Sequence, residues 1–197
     1  MGASSNFGNM FSVLGASAFL PFIPMAPIQI LTNNMLYDFS QVPIPTDAVD
    51  EELVARPRPW DVGEIRRFIL CIGPISSIFD YTTFFVMLYL FKCWDVARAP
   101  LFQTGWFVES IMTQTLIIHI IRTNKIPFFH SRASWSLILT TLGIMAFGAW
   151  LPYSPLASSL GLVHLPGLYW PILLVTLLAY SCLTQGIKVL LLSKKWI

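Results

Sequence analysis

The chain has 197 residues, of which 55% are hydrophobic and 11% are charged, and its formal net charge is +2. A mean hydropathy of +0.67 lies well outside the usual range of a soluble globular domain of this length. The small positive charge is divided among short groups between apolar runs, which argues against a nucleic-acid-binding protein. We therefore predict an all-α fold, a polytopic bundle of membrane-spanning helices.

The first part of the chain, residues 1–40, is predicted to form a helical hairpin. Residues 4–20 and 28–40 have the length and composition of two short, rather polar helices. Pro21, Pro24 and Pro27 separate them, and prolines at spacing three cannot continue a regular helix. The chain is therefore expected to turn at these prolines.

Residues 41–66 are predicted to form an exposed cytoplasmic loop. This stretch carries the four prolines Pro43, Pro45, Pro57 and Pro59, and few long apolar runs. Six of the ten acidic residues also lie in it: Asp47, Asp50, Glu51, Glu52, Asp61 and Glu64. Such a composition favours solvent over lipid.

Residues 67–197 are predicted to form a transmembrane domain of four helices, at about 67–91, 101–121, 134–151 and 168–192. A bilayer core of roughly 30 Å requires about 20 helical residues, and these segments approach or exceed that length. Together with the hairpin they make six predicted spans. Basic residues concentrate in the connections on one side, which predicts that both termini are cytoplasmic. Ten of the twelve lie there: Arg56, Arg58, Arg66, Arg67, Arg122, Lys125, Arg132, Lys188, Lys194 and Lys195.

Motifs for soluble chemistry are missing from the sequence. The three cysteines and three histidines are scattered, so we expect neither a disulfide framework nor a zinc site. We interpret the cysteines as small hydrophobic residues and His119 as a packed helix residue. No phosphate-binding loop and no Ser/His/Asp arrangement is present. We therefore predict no catalytic residue, and we do not expect this chain alone to bind or hydrolyse ATP.

Several polar side chains nevertheless fall at predicted membrane depth, where an unpaired carboxylate costs several kcal/mol. Asn34 and Asp38 are four residues apart and share one helix face, and Asn6 and Asn9 do so at spacing three. If the hairpin is antiparallel, both pairs lie in the bilayer interior. Oxygen atoms from two helices could then surround one cation.

Packing is the alternative explanation for these side chains, because amides in membrane helices also bond to neighbouring helices. It remains open for Asn6 and Asn9, and it is the preferred interpretation for Asn33, which lies on a different face. Asp38 has no packing rationale and is assigned to the cation. For Asp80 and Glu109 two roles stay open: cation binding, or hydrogen bonds inside the membrane. The candidate hydrogen-bond partners are Ser76, Thr82, Gln114 and His119.

The order of these residues resembles a known family. The stretch SSNFGN at residues 4–9, the proline turn and NMLYD at residues 34–38 resemble the fifth and sixth transmembrane helices of P-type cation ATPases, where SSNxGE is followed by NxxxD. The remainder resembles the magnesium-importing subclass. The matching stretches are RPRPWD at 56–61, GPISSIFD at 73–80, LFQTGWF at 101–107, QT at 114–115, RT at 122–123 and KIPF at 125–128.

This resemblance implies that the six helices are the fifth to tenth of a ten-helix pump in the bacterial inner membrane. Asn6, Asn34 and Asp38 match positions that bind the transported ion in relatives. Asn9 replaces a glutamate of calcium pumps, which is consistent with a single, partly hydrated Mg²⁺. Glu109 is expected to supply a further carboxylate from the eighth helix.

The resemblance also implies what the pump needs beyond this chain. ATP would act only through phosphorylation, nucleotide-binding and actuator domains that the sequence lacks, so Met1 is expected to be an internal methionine and the isolated chain inactive. The expected partners are the lipid bilayer, Mg²⁺ and the N-terminal part of the pump. The alternative is a non-enzymatic truncated membrane protein that associates with a full-length pump or another partner.

Overall fold

The computed structural model of the chain describes residues 2–48, 62–123, 125–127 and 130–193. Within these residues the chain is helical and forms no strand, as the sequence predicted. Half of the predicted loop at 41–66, residues 49–61 with the RPRPWD stretch, lies outside the described residues. The six α-helices are α1 Gly2–Ser17, α2 Pro27–Gln41, α3 Val62–Phe85, α4 Ala99–Ile121, α5 Trp135–Trp150 and α6 Tyr169–Ser193.

Local sequence signals account for several helix ends. Helix α1 ends before the proline turn, and α2 begins at Pro27, a position where the missing N–H of proline is tolerated. The Gln29 side chain also accepts a hydrogen bond from the backbone N–H of Ala26 at 3.0 Å. Ser134 caps α5 by accepting a bond from the N–H of Leu137. Helix α3 continues as a π-helical segment, Val86–Leu90, before the chain turns.

Helix α4 is the centre of the bundle. It packs against α2, α3, α5 and α6, and nearly all of its residues are buried. Helix α1 packs mainly on α3, where a Cβ atom added at Gly8 would lie only 3.0 Å from the backbone oxygen of Gly73. Helix α2 packs on α4 and α5 instead. The two helices of the predicted hairpin, α1 and α2, therefore pack against different helices and make few contacts with each other.

The distribution of polarity is inverted relative to a soluble protein. Large apolar side chains on α5 and α6 are exposed, among them Leu139, Leu142, Leu174, Val175 and Leu178. Polar side chains are buried instead, including Asn33, Asp80, Glu109, Gln114 and Thr141. This arrangement is typical of helices that contact lipid outside and bond to each other inside.

Two segments of the described chain are long and apolar enough to cross a membrane, Trp135–Tyr153 and Tyr169–Ser193. Helix α4 is more polar, and most of its polar side chains face neighbouring helices. Six membrane crossings and two cytoplasmic termini therefore remain predictions.

One end of the bundle is closed by a buried lysine. Lys188 of α6 is 5% exposed, and its ammonium group donates hydrogen bonds to the backbone oxygens of Ile120, Thr123 and Lys125 at 2.9, 3.1 and 3.0 Å. The last carbonyl groups of an α-helix lack partners within the helix and carry partial negative charge. Lys188 thus links α6 to the C-terminal end of α4.

Arg122 and Asp47 connect the segment after α2 to the connection between α4 and α5. Arg122 Nε lies 2.5 Å from Asp47 Oδ2, and the two side chains are only 7% and 8% exposed. The other Asp47 oxygen accepts a bond from the backbone N–H of Ser134 at 2.7 Å. Arg122 also donates to the backbone oxygens of Ala48 and Arg132. The ion pair therefore joins three stretches of backbone.

Acid is expected to weaken this connection. Partial burial raises the pKa of Asp47, but hydrogen bonds from the Ser134 N–H and from Arg122 outweigh it and lower the pKa below 3.8. The folded state then binds fewer protons than the unfolded state near that pH. The stabilisation by ionised Asp47 is present above pH 3.8. It is lost as the pH falls through the lower pKa that Asp47 has in the folded protein. Thermal unfolding of the purified chain in detergent at several pH values measures this loss, and Asp47→Asn should remove it. An identical acid dependence in Asp47→Asn would contradict the assignment.

Candidate cation-binding site

A cavity of about 250 Å³ lies between α1, α2 and α4. Asn9 of α1 and Asn34 of α2 both line it, and both are half-buried. The remaining lining residues are Met10, Val13, Met25, Ile30, Asn33 and Trp106. The cavity is large enough for several water molecules. Two amides that are 25 positions apart in sequence therefore line one cavity, whose wall is otherwise mainly apolar.

The different supports of α1 and α2 keep this space open. On α1, the backbone oxygen of Gly8 accepts a bond from Ser77 Oγ of α3 at 3.0 Å. On α2, Asn33 Nδ2 donates to the backbone oxygen of Phe107 of α4 at 3.2 Å. The Trp106 ring forms one wall and packs edge-to-face on Phe84, with ring centroids 4.8 Å apart. Each wall is thus anchored from behind.

Asn33 faces the same cavity, although the sequence favoured packing for it. Its side chain is 2% exposed. The amide nitrogen bonds to α4, whereas Oδ1 has no hydrogen-bond partner among the described residues. The sequence shows that Asn33 is next to Asn34. It does not show how the Asn33 amide is oriented, which follows from the contact with Phe107.

Asp38 does not line this cavity. Its side chain is exposed on α2, one turn beyond Asn34. No hydrogen bond or ion pair links it to the described residues. Asn6 lies on α1, one turn before Asn9, but its side chain lies outside the described part of the structure. The site as described therefore contains two of the predicted ligands, Asn9 and Asn34, together with Asn33.

Glu109 is grouped with Asp80, behind the Trp106 wall. Asp80 is 2% exposed and accepts hydrogen bonds from Ser12 Oγ at 2.5 Å and from Trp106 Nε1 at 2.9 Å. The Glu109 carboxyl group is close enough to interact with that of Asp80, but neither of its oxygens has hydrogen-bond geometry to a described group. Asp80 thus makes hydrogen bonds between helices, though to Ser12 and Trp106 rather than to the partners considered from sequence. Glu109 is not among the residues lining the cavity.

The wall of the cavity is mainly apolar, and its polar groups are the neutral amides of Asn9, Asn33 and Asn34. Across the described ranges, no three His, Cys, Asp or Glu side chains form a group that could hold a metal ion. His119 instead bonds to Thr141 Oγ1 at 2.8 Å, in agreement with its interpretation as a packed residue. A cation in this cavity would contact amide oxygens and water, the ligands of a hard ion such as Mg²⁺ or Ca²⁺.

Comparison with known proteins agrees with these features. Residues 22–190 match the family described as cation transporting ATPase, C-terminus. The magnesium-transporting ATPase, P-type 1, of Salmonella typhimurium strain LT2 is 53% identical over 188 residues, which are 95% of this chain and 21% of that protein. The protein of the same name in Escherichia coli K12 is 52% identical over the same length. The chain thus spans about a fifth of the length of these curated relatives. It belongs to the family formed by the C-terminal region of cation-transporting ATPases.

Proposed function

We propose that this chain is the membrane-embedded C-terminal portion of a P-type ATPase that imports Mg²⁺ across the bacterial inner membrane. The observation that carries the proposal is the shared cavity of Asn9 and Asn34, in a chain 53% identical to a magnesium-transporting ATPase. ATP hydrolysis would take place on the phosphorylation and nucleotide-binding domains of the remaining pump. Those domains would change the access of the cation to this cavity.

The donor set of the cavity suits a partly hydrated ion. Mg²⁺ requires octahedral coordination by oxygen and gives up its water reluctantly, so it is usually bound by one or two carboxylates and several waters. Asn9 and Asn34 supply neutral oxygens in this proposal, and the cavity leaves room for water. Asp38 supplies the negative charge from the same face of α2, one helical turn from Asn34. Asn6 extends the site on α1.

Asp38 is exposed on the outer surface of the six described helices. A carboxylate at membrane depth requires compensation by a charge or a polar surface. We infer that the first four helices of the pump cover this face and complete the site. Glu109 would not bind the ion directly. It lies next to Asp80, which holds the Trp106 wall of the cavity by a hydrogen bond, and would influence the site through that contact.

The same proposal places all six helices across the membrane with both termini in the cytoplasm. The exposed apolar side chains of α5 and α6 support contact with lipid. The Arg122–Asp47 ion pair and the Lys188 contact would then both lie at the cytoplasmic end, where basic residues are enriched.

Transport can be tested with a pump assembled from this chain and the N-terminal remainder of a magnesium-transporting relative, here called the assembled pump. We expect the assembled pump to restore growth at low Mg²⁺ in bacteria without their own Mg²⁺ transporters, and to take up Mg²⁺. The chain alone should insert into the membrane without restoring growth. An assembled pump that is inserted but takes up no Mg²⁺ would contradict the proposed function.

The second candidate function is that of a non-enzymatic membrane protein that associates with a full-length pump. In that case the chain would act beside a pump whose relatives it matches over 21% of their length. Labelled ATP tests both candidates together, because both predict no phosphoenzyme on the chain alone. Co-purification with a full-length pump separates them. Only the second predicts that the separate chain is recovered with a full-length pump and alters its uptake.

A further inference from the structure

We propose that Asn33 is an additional ligand of the transported cation, binding the ion or its water shell through Oδ1. This inference rests on the proposed function, because it assigns a residue to the same cavity. It differs from the sequence interpretation, in which Asn33 only packs.

The orientation of the Asn33 amide is determined by its neighbour. The backbone oxygen of Phe107 can only accept hydrogen bonds, so the NH₂ group of Asn33 must be the one that faces it. Exchanging the amide nitrogen and oxygen would bring two acceptors together. Oδ1 is therefore turned away from the Phe107 oxygen, on a side chain that lines the cavity.

This oxygen is a buried acceptor without a donor. Asn33 is 2% exposed, and its Oδ1 has no partner among the described residues. Most buried polar atoms in proteins are hydrogen-bonded, because leaving one unpaired costs free energy. A cation or its bound water in the cavity would compensate the oxygen.

Gln29 provides an internal comparison one turn earlier on the same face of α2. Its side chain is fully buried, and its Oε1 accepts a bond from the N–H of Ala26. Its Nε2 donates to the backbone oxygens of Leu160 and Gly161 at 2.9 and 3.3 Å. Both ends of the Gln29 amide are thus used for structure, whereas only one end of the Asn33 amide is. The difference points to a ligand role at position 33.

The test compares Asn33→Leu with Gln29→Leu in the assembled pump. Leucine has the branched shape of asparagine, although it is larger, and it removes the oxygen, so the Mg²⁺ concentration for half-maximal uptake should rise about tenfold, the equivalent of about 1.4 kcal/mol. Gln29→Leu should reduce the amount of folded pump while leaving that concentration unchanged. A second measurement is the Mg²⁺-dependent rise in Tm of the purified pump without ATP, which should be smaller in Asn33→Leu.

Asn33→Asp keeps the inference testable if the leucine variant does not fold. Aspartate loses the donor to Phe107 but retains an oxygen toward the cavity, so the half-saturating Mg²⁺ concentration should stay within about threefold of the unmodified value. Weakening as large as in Asn33→Leu, or an unchanged Mg²⁺ response in Asn33→Leu, would overturn the ligand role. Failure of the unmodified pump to take up Mg²⁺ would instead count against the proposed function itself.

Discussion

Replacing Asp38 by asparagine is expected to reduce Mg²⁺ uptake by the assembled pump about hundredfold or more. Asp38 is the principal negative charge of the proposed site, and loss of one partner from a desolvated charge pair costs about 2–5 kcal/mol, with a factor of ten for each 1.4 kcal/mol. The side chain is exposed and makes no hydrogen bond or ion pair to the described residues. The variant should therefore insert and fold like the unmodified protein. Uptake of Mg²⁺, normalised to the amount of pump in the membrane, measures the effect.

Asp95 offers a matched control for this substitution. It is another exposed aspartate, in the connection between α3 and α4, far along the chain from the hairpin. Asp95→Asn removes the same charge and should leave the Mg²⁺ response unchanged. Uptake at the unmodified level in Asp38→Asn would exclude Asp38 from the site, even if transport by the assembled pump is confirmed.

Replacing Lys188 by methionine is expected to lower the free energy of unfolding of the chain by about 3 kcal/mol. The substitution preserves most of the aliphatic volume but leaves the backbone oxygens of Ile120, Thr123 and Lys125 without their ammonium donor. Bonds to a charged group contribute about 1.5–3 kcal/mol, and buried acceptors left unpaired add to the loss. Denaturant unfolding of the purified chain in detergent measures the change.

Lys92 provides the comparison for this second substitution. It is an exposed lysine in the turn after α3, so Lys92→Met should change the free energy of unfolding by less than about 0.5 kcal/mol. Equal effects at positions 92 and 188 would mean that the loss reflects general charge removal. They would argue against a specific link between α6 and the end of α4.

The existence and order of the helices could be predicted from the chain alone. Apolar runs of helical length and the three prolines after Leu20 indicated the six α-helices of the described residues. Helix ends differ by a few residues, as at α3, which begins at Val62 rather than near residue 67. For an antiparallel hairpin, Asn9 and Asn34 were also expected near each other, and both line one cavity. These features depend on local backbone chemistry and on distance along the chain.

The rotation of each helix and the identity of its neighbours were decided only by the tertiary structure. Asn33 was assigned to packing from its position on the helix; the structure supplies its partner, the backbone oxygen of Phe107, and also places the residue at the cavity wall. Asp80 accepts its hydrogen bonds from Ser12 and Trp106, which the sequence did not indicate. From sequence, Lys188 was counted only as a basic residue near a membrane boundary. In the structure it donates a hydrogen bond to the backbone oxygen of Ile120, near the C-terminal end of α4. A helical period determines which residues share a face, whereas the partner of that face depends on contacts between segments that are far apart in sequence.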